Sequence, residues 1–310
     1  MSVLVELPPD QYSKTAFDDF APTSAFNIGT ARALIWLSQL AYETAQPATI
    51  AAVATTWKLT ATAFERTSIA FQKIYDTRGI VASRQDAIIV AFAGTDPVVW
   101  ENLATNLAIR PNTASNTHSG FAAALDGIWD TVHSAVKTAT VPVLFAGHSL
   151  GGALAALAAE RAHDAGIAPA AVYVFGMPRA GGDVFASRYN AKLGEKTFRL
   201  VYGRDVVATV PMSKLGFRHV GRMLACSTDG KFDPSESLSA VGSNDPEFTA
   251  GRIQTLKDVA SNLLQGRWFM PDGPGPLGPL FRYLPLSIRD HLPDRYWEAL
   301  TPAMSSPLSQ

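Results

Sequence analysis

At 310 residues the chain is long enough to bury a large core as one domain or two, and 47% hydrophobic against 17% charged residues marks it as globular and somewhat apolar. A formal net charge of −1, with basic residues scattered rather than clustered, gives no electrostatic case for nucleic acid or an anionic membrane. The single cysteine, Cys226, excludes an intramolecular disulfide framework and any cysteine-rich metal site. The opening residues lack the basic segment and sustained apolar core of a secretory leader, and no apolar run is long enough to cross a bilayer. The default expectation is therefore a cytoplasmic protein, with a removed leader or leaderless export as the alternative.

Residues 1–26 carry three prolines and no clear periodicity, which reads as an extended N-terminal arm. From Gly29 to Tyr42, apolar residues at Ala33, Leu34, Leu37, Leu40 and Ala41 follow helical spacing. Ser68–Tyr75, Gly79–Ser83 and Ala87–Ala93 read as strands, with turns expected at Asp76-Thr-Arg-Gly79 and Arg84-Gln-Asp86. Helical patterns follow at Trp100–Leu107 and Gly120–Thr138. After a strand at Val141–Ala146 and a helix at Leu150–Ala162 come a buried strand at Ala171–Phe175, a helix near Asp183–Leu193 and a strand at Lys196–Tyr202. Strands alternating with helices predict an α/β fold, a mostly parallel central sheet with helices on both faces. Pro271-Asp-Gly-Pro-Gly-Pro-Leu-Gly-Pro279 cannot be regular helix or strand. Residues 266–286 are expected to be a Pro/Gly-rich loop within a single domain spanning 1–310, because the short segment beyond them supplies a candidate site residue.

The most informative stretch joins the fourth of these strands to its helix. Gly147-His-Ser-Leu-Gly151 matches the nucleophile-elbow pattern G-x-S-x-G. The corner is tight enough that a Cβ at either glycine would meet the neighbouring strand or helix. The serine is held in a strained turn at the positive end of the helix. The pattern alone is short; its context of strand, helix and small residues (Gly152, Ala153, Ala155, Ala156) makes it informative.

A serine hydroxyl needs a base within hydrogen-bond reach, and that base an orienting acid. In sheets of this type the chain order is Ser, acid, His. Asp205 follows the strand ending at Tyr202, where ligands of open α/β sheets collect; Asp183 begins a helix and Asp229 lies in a Thr-Asp-Gly turn. Asp205 is the candidate acid. Of the histidines after Ser149, His163 faces away from the elbow, leaving His219 and His291. His219 sits in an apolar run and also reads as a core histidine; His291, on an irregular stretch, suits a base carried on a loop. The residues alone favour His291 and leave His219 open. Oxyanion donors are expected from the amide of Leu150 and from Thr95, at the end of Ala91-Phe-Ala-Gly-Thr95.

These motifs, in this order, resemble the class 3 lipases, the filamentous-fungal type and their bacterial relatives; the expected affiliation is with a bacterial-type member. The resemblance rests on Asp76-Thr-Arg-Gly-Ile80, Ile88–Thr95, Thr117-His-Ser-Gly-Phe121, Gly147–Gly152, Phe175-Gly-Met-Pro-Arg-Ala-Gly181, Asp205-Val-Val-Ala-Thr-Val-Pro211, His219-Val-Gly221 and Asp290-His-Leu292 with Tyr296. It implies an α/β-hydrolase fold, a triad of Ser149, Asp205 and His291, oxyanion residues Thr95 and Leu150, and no metal or organic cofactor. Where the family carries an arginine before the oxyanion glycine, this chain has Ala93.

The resemblance also implies a lid after the oxyanion loop, here at Val98, Val99, Trp100 and Leu103, which alternatively form a surface helix with Trp100 packed inward. A second apolar cluster, Trp268-Phe-Met270 with Leu277, Leu280 and Phe281, flanks the Pro/Gly run and either lines an acyl groove or anchors the loop. The expected function is hydrolysis of lipid esters, as a triacylglycerol lipase acting through an acyl-enzyme, at a lipid–water interface. An esterase for short soluble esters and a phospholipase A1 remain as alternatives. From another class, a non-catalytic lipid-binding or scaffold protein on the same fold is the remaining alternative.

Overall fold

The computed structural model describes residues 6–70, 73–95, 114–243 and 286–302. In chain order these form α1 (Ile28–Leu40), α2 (Pro47–Thr56), β1 (Thr60–Ala70), β2 (Lys73–Arg84), β3 (Ala87–Phe92), α3 (Ser119–Asp126), α4 (Trp129–Val136), β4 (Val143–His148) and α5 (Leu150–Asp164). There follow β5 (Pro169–Phe175), β6 (Gly181–Gly182), α6 (Asp183–Leu193), β7 (Thr197–Tyr202), β8 (Phe217–Arg218), β9 (Arg222–Cys226), α7 (Leu286–Arg289) and α8 (Pro293–Leu300). Seven strands make one sheet in the order β1-β2-β3-β4-β5-β7-β9, and β6 pairs with β8 apart from it. The ladder from β3 to β9 is parallel; β1 and β2 add an antiparallel edge.

The parallel strands read as unbroken apolar runs because both of their faces are covered. Alternate side chains enter opposite cores, as the two-residue period of a strand requires. Leu144, Ala146, Tyr173 and Phe175 join α1, α8 and the aromatic rings of the N-terminal segment. Val143, Phe145, Val172 and Val174 join α3, α5 and α6. Helix α5 lies close against its strands because its inner face is almost entirely alanine, glycine and leucine. Helix α1 starts at Asn27, whose side chain accepts from the Thr30 amide at 2.7 Å.

Three expectations change. The strand expected over Ser68–Tyr75 is instead the end of β1 and the start of its antiparallel partner β2. Asp76–Gly79 is not a turn but the middle of β2, where Gly79 opposes Phe64 on β1 and Phe92 on β3. A Cβ on Gly79 would lie 2.4 Å from the Phe64 ring, so this glycine makes room for a cross-strand aromatic rather than bending the chain. The helix expected over Gly120–Thr138 is two helices, broken at Gly127-Ile128. The N-terminal segment contributes Tyr12, Phe17 and Phe20 to the core, with Tyr12 and Phe17 against Trp57. No described helix is long and apolar enough to cross a membrane.

Candidate active site

Parallel strands end on a common edge, and the loops leaving it converge. Ser149 stands between β4 and α5 with φ 58° and ψ −130°, a conformation that side chains resist. The surroundings fix it there. Its amide donates to the Phe175 carbonyl at 2.8 Å, and its carbonyl accepts from Gly152 at 2.9 Å. A Cβ on Gly147 would meet the Gly151 carbonyl at 2.1 Å, and one on Gly151 would meet that of Phe92 at 2.3 Å. Only glycines allow strand, corner and helix to approach this closely.

The structure brings Ser149, Asp205 and His291 together. The Ser149 Oγ is 2.8 Å from His291 Nε2, and His291 Nδ1 is 2.8 Å from Asp205 Oδ2. A carboxylate only accepts, so Nδ1 carries the proton and Nε2 is free to accept from the serine hydroxyl. All three are buried, Ser149 at 1% exposure. Asp205 Oδ1 accepts from the Val207 amide at 2.8 Å, which orients the carboxylate. Gly176, at φ +59°, leaves the room the pair needs: a Cβ there would fall 2.5 Å from Asp205 Oδ2 and 2.8 Å from His291 Nδ1.

Sequence reasoning assigned no role to three further side chains. Tyr296 is fully buried; its hydroxyl donates to Asp205 Oδ2 at 2.5 Å and accepts from the Tyr202 amide at 3.2 Å. Burial, reinforced by the Asp205 charge, raises this phenol well above its usual range and keeps it a donor. Tyr296→Phe leaves the Tyr202 amide without that acceptor and Asp205 with one donor fewer. We expect roughly tenfold lower kcat and a stability loss of about 1–3 kcal/mol, read by turnover and denaturant unfolding.

The second and third are His148 and Tyr42. His148 Nε2 donates to the His291 carbonyl at 2.7 Å, and its Nδ1 accepts from the Tyr42 hydroxyl at 2.9 Å. Burial, and then the neighbouring His291, holds this imidazole well below the usual histidine range. Below about pH 6.5 the unfolded chain binds a proton at His148 that the folded chain refuses, so stability falls as pH falls. Glu43, raised by burial, works in the opposite sense at lower pH. The test is therefore a difference. The stability advantage of wild type over His148→Gln should shrink as pH drops from 7 to 5; an advantage independent of pH would contradict a neutral His148.

Leu150 follows the nucleophile as the first residue of α5, where amides lack intrahelical acceptors. Gly94 brings the loop ending at Thr95 against the elbow: a Cβ on it would lie 2.7 Å from that of Ser149 and 2.5 Å from the Tyr42 hydroxyl. Leu150 is thus next to Ser149 in the chain, and the residue before Thr95 lies against it. His219 is buried, and its Nε2 is 2.7 Å from the Ala208 carbonyl, on the loop after Asp205. Arg179, from the Phe-Gly-Met-Pro-Arg run, grips the loop after Asp205: its side chain donates to the carbonyls of Thr209 and Pro211, the latter at 2.9 Å. Val98, Val99, Trp100 and Leu103, and residues 266–285 of the expected 266–286 loop with its flanking aromatics, lie outside the described residues; Leu286, its last residue, opens α7. Among the described residues no cluster of His, Cys, Asp and Glu could hold a metal ion.

A serine, histidine and aspartate on the carboxyl edge of a mostly parallel sheet, with the serine at a glycine-bounded corner, define the α/β-hydrolase fold. Residues 89–215 match the model of the class 3 lipase family. The secreted mono- and diacylglycerol lipase of Malassezia globosa is 38% identical over 108 residues, 32% of this chain and 35% of that protein. The secreted mono- and diacylglycerol lipase 1 of Fusarium solani is 28% identical over 189 residues, 58% of this chain and 52% of that protein. The chain thus spans from about a third to about half the length of these two relatives. Among solved structures, lipase II from Rhizopus niveus superposes with a TM-score of 0.55 at 21% identity, over 69% of this chain and 86% of that one. These comparisons correct two expectations. Both sequence relatives are secreted proteins, which overturns the cytoplasmic placement. All three are fungal, which gives no support to a bacterial-type affiliation.

Proposed function

We propose that this chain is a serine carboxylic-ester hydrolase of acylglycerols, acting outside the cell as a single hydrolase domain. The observation that carries the reading is the hydrogen-bonded line from Ser149 Oγ through His291 to Asp205, with both links at 2.8 Å. His291 Nε2 takes the serine proton as Oγ attacks the ester carbonyl. The Thr95 and Leu150 amides receive the oxyanion, and Asp205 steadies the imidazolium. His291 then protonates the departing alcohol, leaving an acyl group on Ser149. Water, deprotonated by His291, attacks that acyl group; collapse of the second oxyanion releases the fatty acid and restores the serine. Nothing in these steps calls for a cofactor.

Triacylglycerol is the substrate first implied. The names of the Malassezia and Fusarium relatives favour a second reading, in which mono- and diacylglycerols are preferred. Hydrolysis of emulsified tri-, di- and monoacylglycerol beside 4-nitrophenyl esters of increasing chain length separates the two. Activity confined to short soluble esters would reject both in favour of an esterase. No Ser149-dependent hydrolysis of any ester would reject the reading itself.

A further inference from the structure

Asp290 is fully buried beside the candidate base, and none of the steps above uses it. Its Oδ2 accepts from the Arg204 amide at 2.8 Å and from the Thr228 hydroxyl at 2.7 Å. Both donors belong to other parts of the chain. Arg204 immediately precedes the acid, on the turn leaving β7. Thr228 lies on the turn leaving β9, and that turn is itself held to β7 by the Asp229 amide, which donates to the Tyr202 hydroxyl at 2.7 Å. Gly203, at φ +53°, clears the space: a Cβ on it would come within 2.4 Å of Asp290 Oδ2 and 2.6 Å of the Thr228 hydroxyl. The neighbouring oxygen, Oδ1, has no hydrogen-bond partner among the described residues.

Burying a carboxyl group with no cation beside it among the described residues is costly unless hydrogen bonds hold it. Here one oxygen gathers two turns. The base must stand at hydrogen-bond distance from both Ser149 and Asp205, which are far from it in sequence, and its own two ring contacts are the very bonds that change during turnover. A fixed point outside the ring is needed. Asp290 supplies it from the preceding residue, by joining the base segment to the backbone one residue before the acid.

We propose that Asp290 is a positioning residue for the reaction, one that sets the distance between His291 and Asp205 through its bonds to Arg204 and Thr228. It acts through geometry and not through its charge. This rests on the hydrolase reading, and it assigns Asp290 no contact with substrate.

The test compares kcat, KM and the acid limb of the kcat/KM profile for wild type, Asp290→Ala, Asp290→Asn and Thr228→Val. Displacing a catalytic group by about 1 Å costs on the order of 100-fold, so Asp290→Ala should lose roughly that in kcat with KM little changed. Asparagine keeps an oxygen where both donors converge. Asp290→Asn should therefore stay within about fivefold of wild type, with the acid limb unmoved. Thr228→Val removes one donor at the edge of the cluster and should cost roughly 3- to 10-fold in kcat; it decides the matter should Asp290→Ala fail to fold. The proposal is overturned if folded Asp290→Ala turns over within about threefold of wild type, if Asp290→Asn is as slow as the alanine variant, if the asparagine variant shifts the acid limb, or if Thr228→Val is unaffected. Labelling of wild-type Ser149 by a fluorophosphonate, read by mass spectrometry, separates the two levels. A wild type that is neither labelled nor active fails the hydrolase reading, whereas a labelled, active wild type with indifferent variants fails only the assignment of Asp290.

Discussion

Ser149→Ala is expected to lower ester turnover by about a million-fold while the protein remains folded. The hydroxyl is the only atom removed, and the backbone bonds that fix the elbow, from the Ser149 amide to Phe175 and from Gly152 to the Ser149 carbonyl, do not depend on it. The cost to stability is confined to the lost bond with His291 Nε2, about 1 kcal/mol. Turnover of 4-nitrophenyl butyrate and far-ultraviolet circular dichroism, measured on one preparation, check both halves. A folded variant that keeps a tenth of the wild-type rate would remove Ser149 from the mechanism.

Asp205→Asn should cost about 10⁴-fold in kcat with little change in KM. The amide is nearly isosteric with the carboxylate, and an Oδ1 kept in place would still accept from the Val207 amide. That anchoring turns the new NH2 group toward His291, where it can only donate. The imidazole is then held with its proton on Nε2, facing the serine and unable to accept from it. The same NH2 faces the Tyr296 hydroxyl, which loses its acceptor. A stopped-assay pH series distinguishes this from a simple loss of charge. A tautomer locked the wrong way leaves the variant slow at every pH, whereas recovery to near the wild-type rate at high pH would send the acid role elsewhere.

The parts of the site legible in the sequence are those whose geometry is dictated within a few residues. The elbow is one: a glycine two residues before and another two after the serine, between an apolar run and an alanine-rich one, admit few other structures. Asp205 was readable because a strand end followed by a loop places an acid at the functional edge whatever its distant neighbours are. The two candidate bases were a different matter: the residues favoured His291, on an irregular stretch, without excluding His219, and the family resemblance separated them. The roles of Tyr42, His148 and Tyr296 were not readable, although His148 stands in the elbow and Tyr296 in the motif around His291. Each acts across a separation of about 90 to 140 residues, and nothing near them in sequence announces the partner. Gly79 misled for a related reason. A glycine after Asp-Thr-Arg has the local look of a turn, and only the Phe64 ring on the opposing strand reveals that it is a gap left for a neighbour. The cytoplasmic expectation failed because compartment is not a property of the fold at all.

The backbone at Ser149 has a consequence for how this protein could change over time. A side chain at φ 58° and ψ −130° is held against its preference at a cost of about 1–3 kcal/mol, which the rest of the fold offsets. Glycine tolerates that corner far better, so Ser149→Gly should give a chain that is more stable and chemically inert. Thermostability and turnover pull in opposite directions at this one position. A lineage drifting with no demand for hydrolysis would gain from losing the serine.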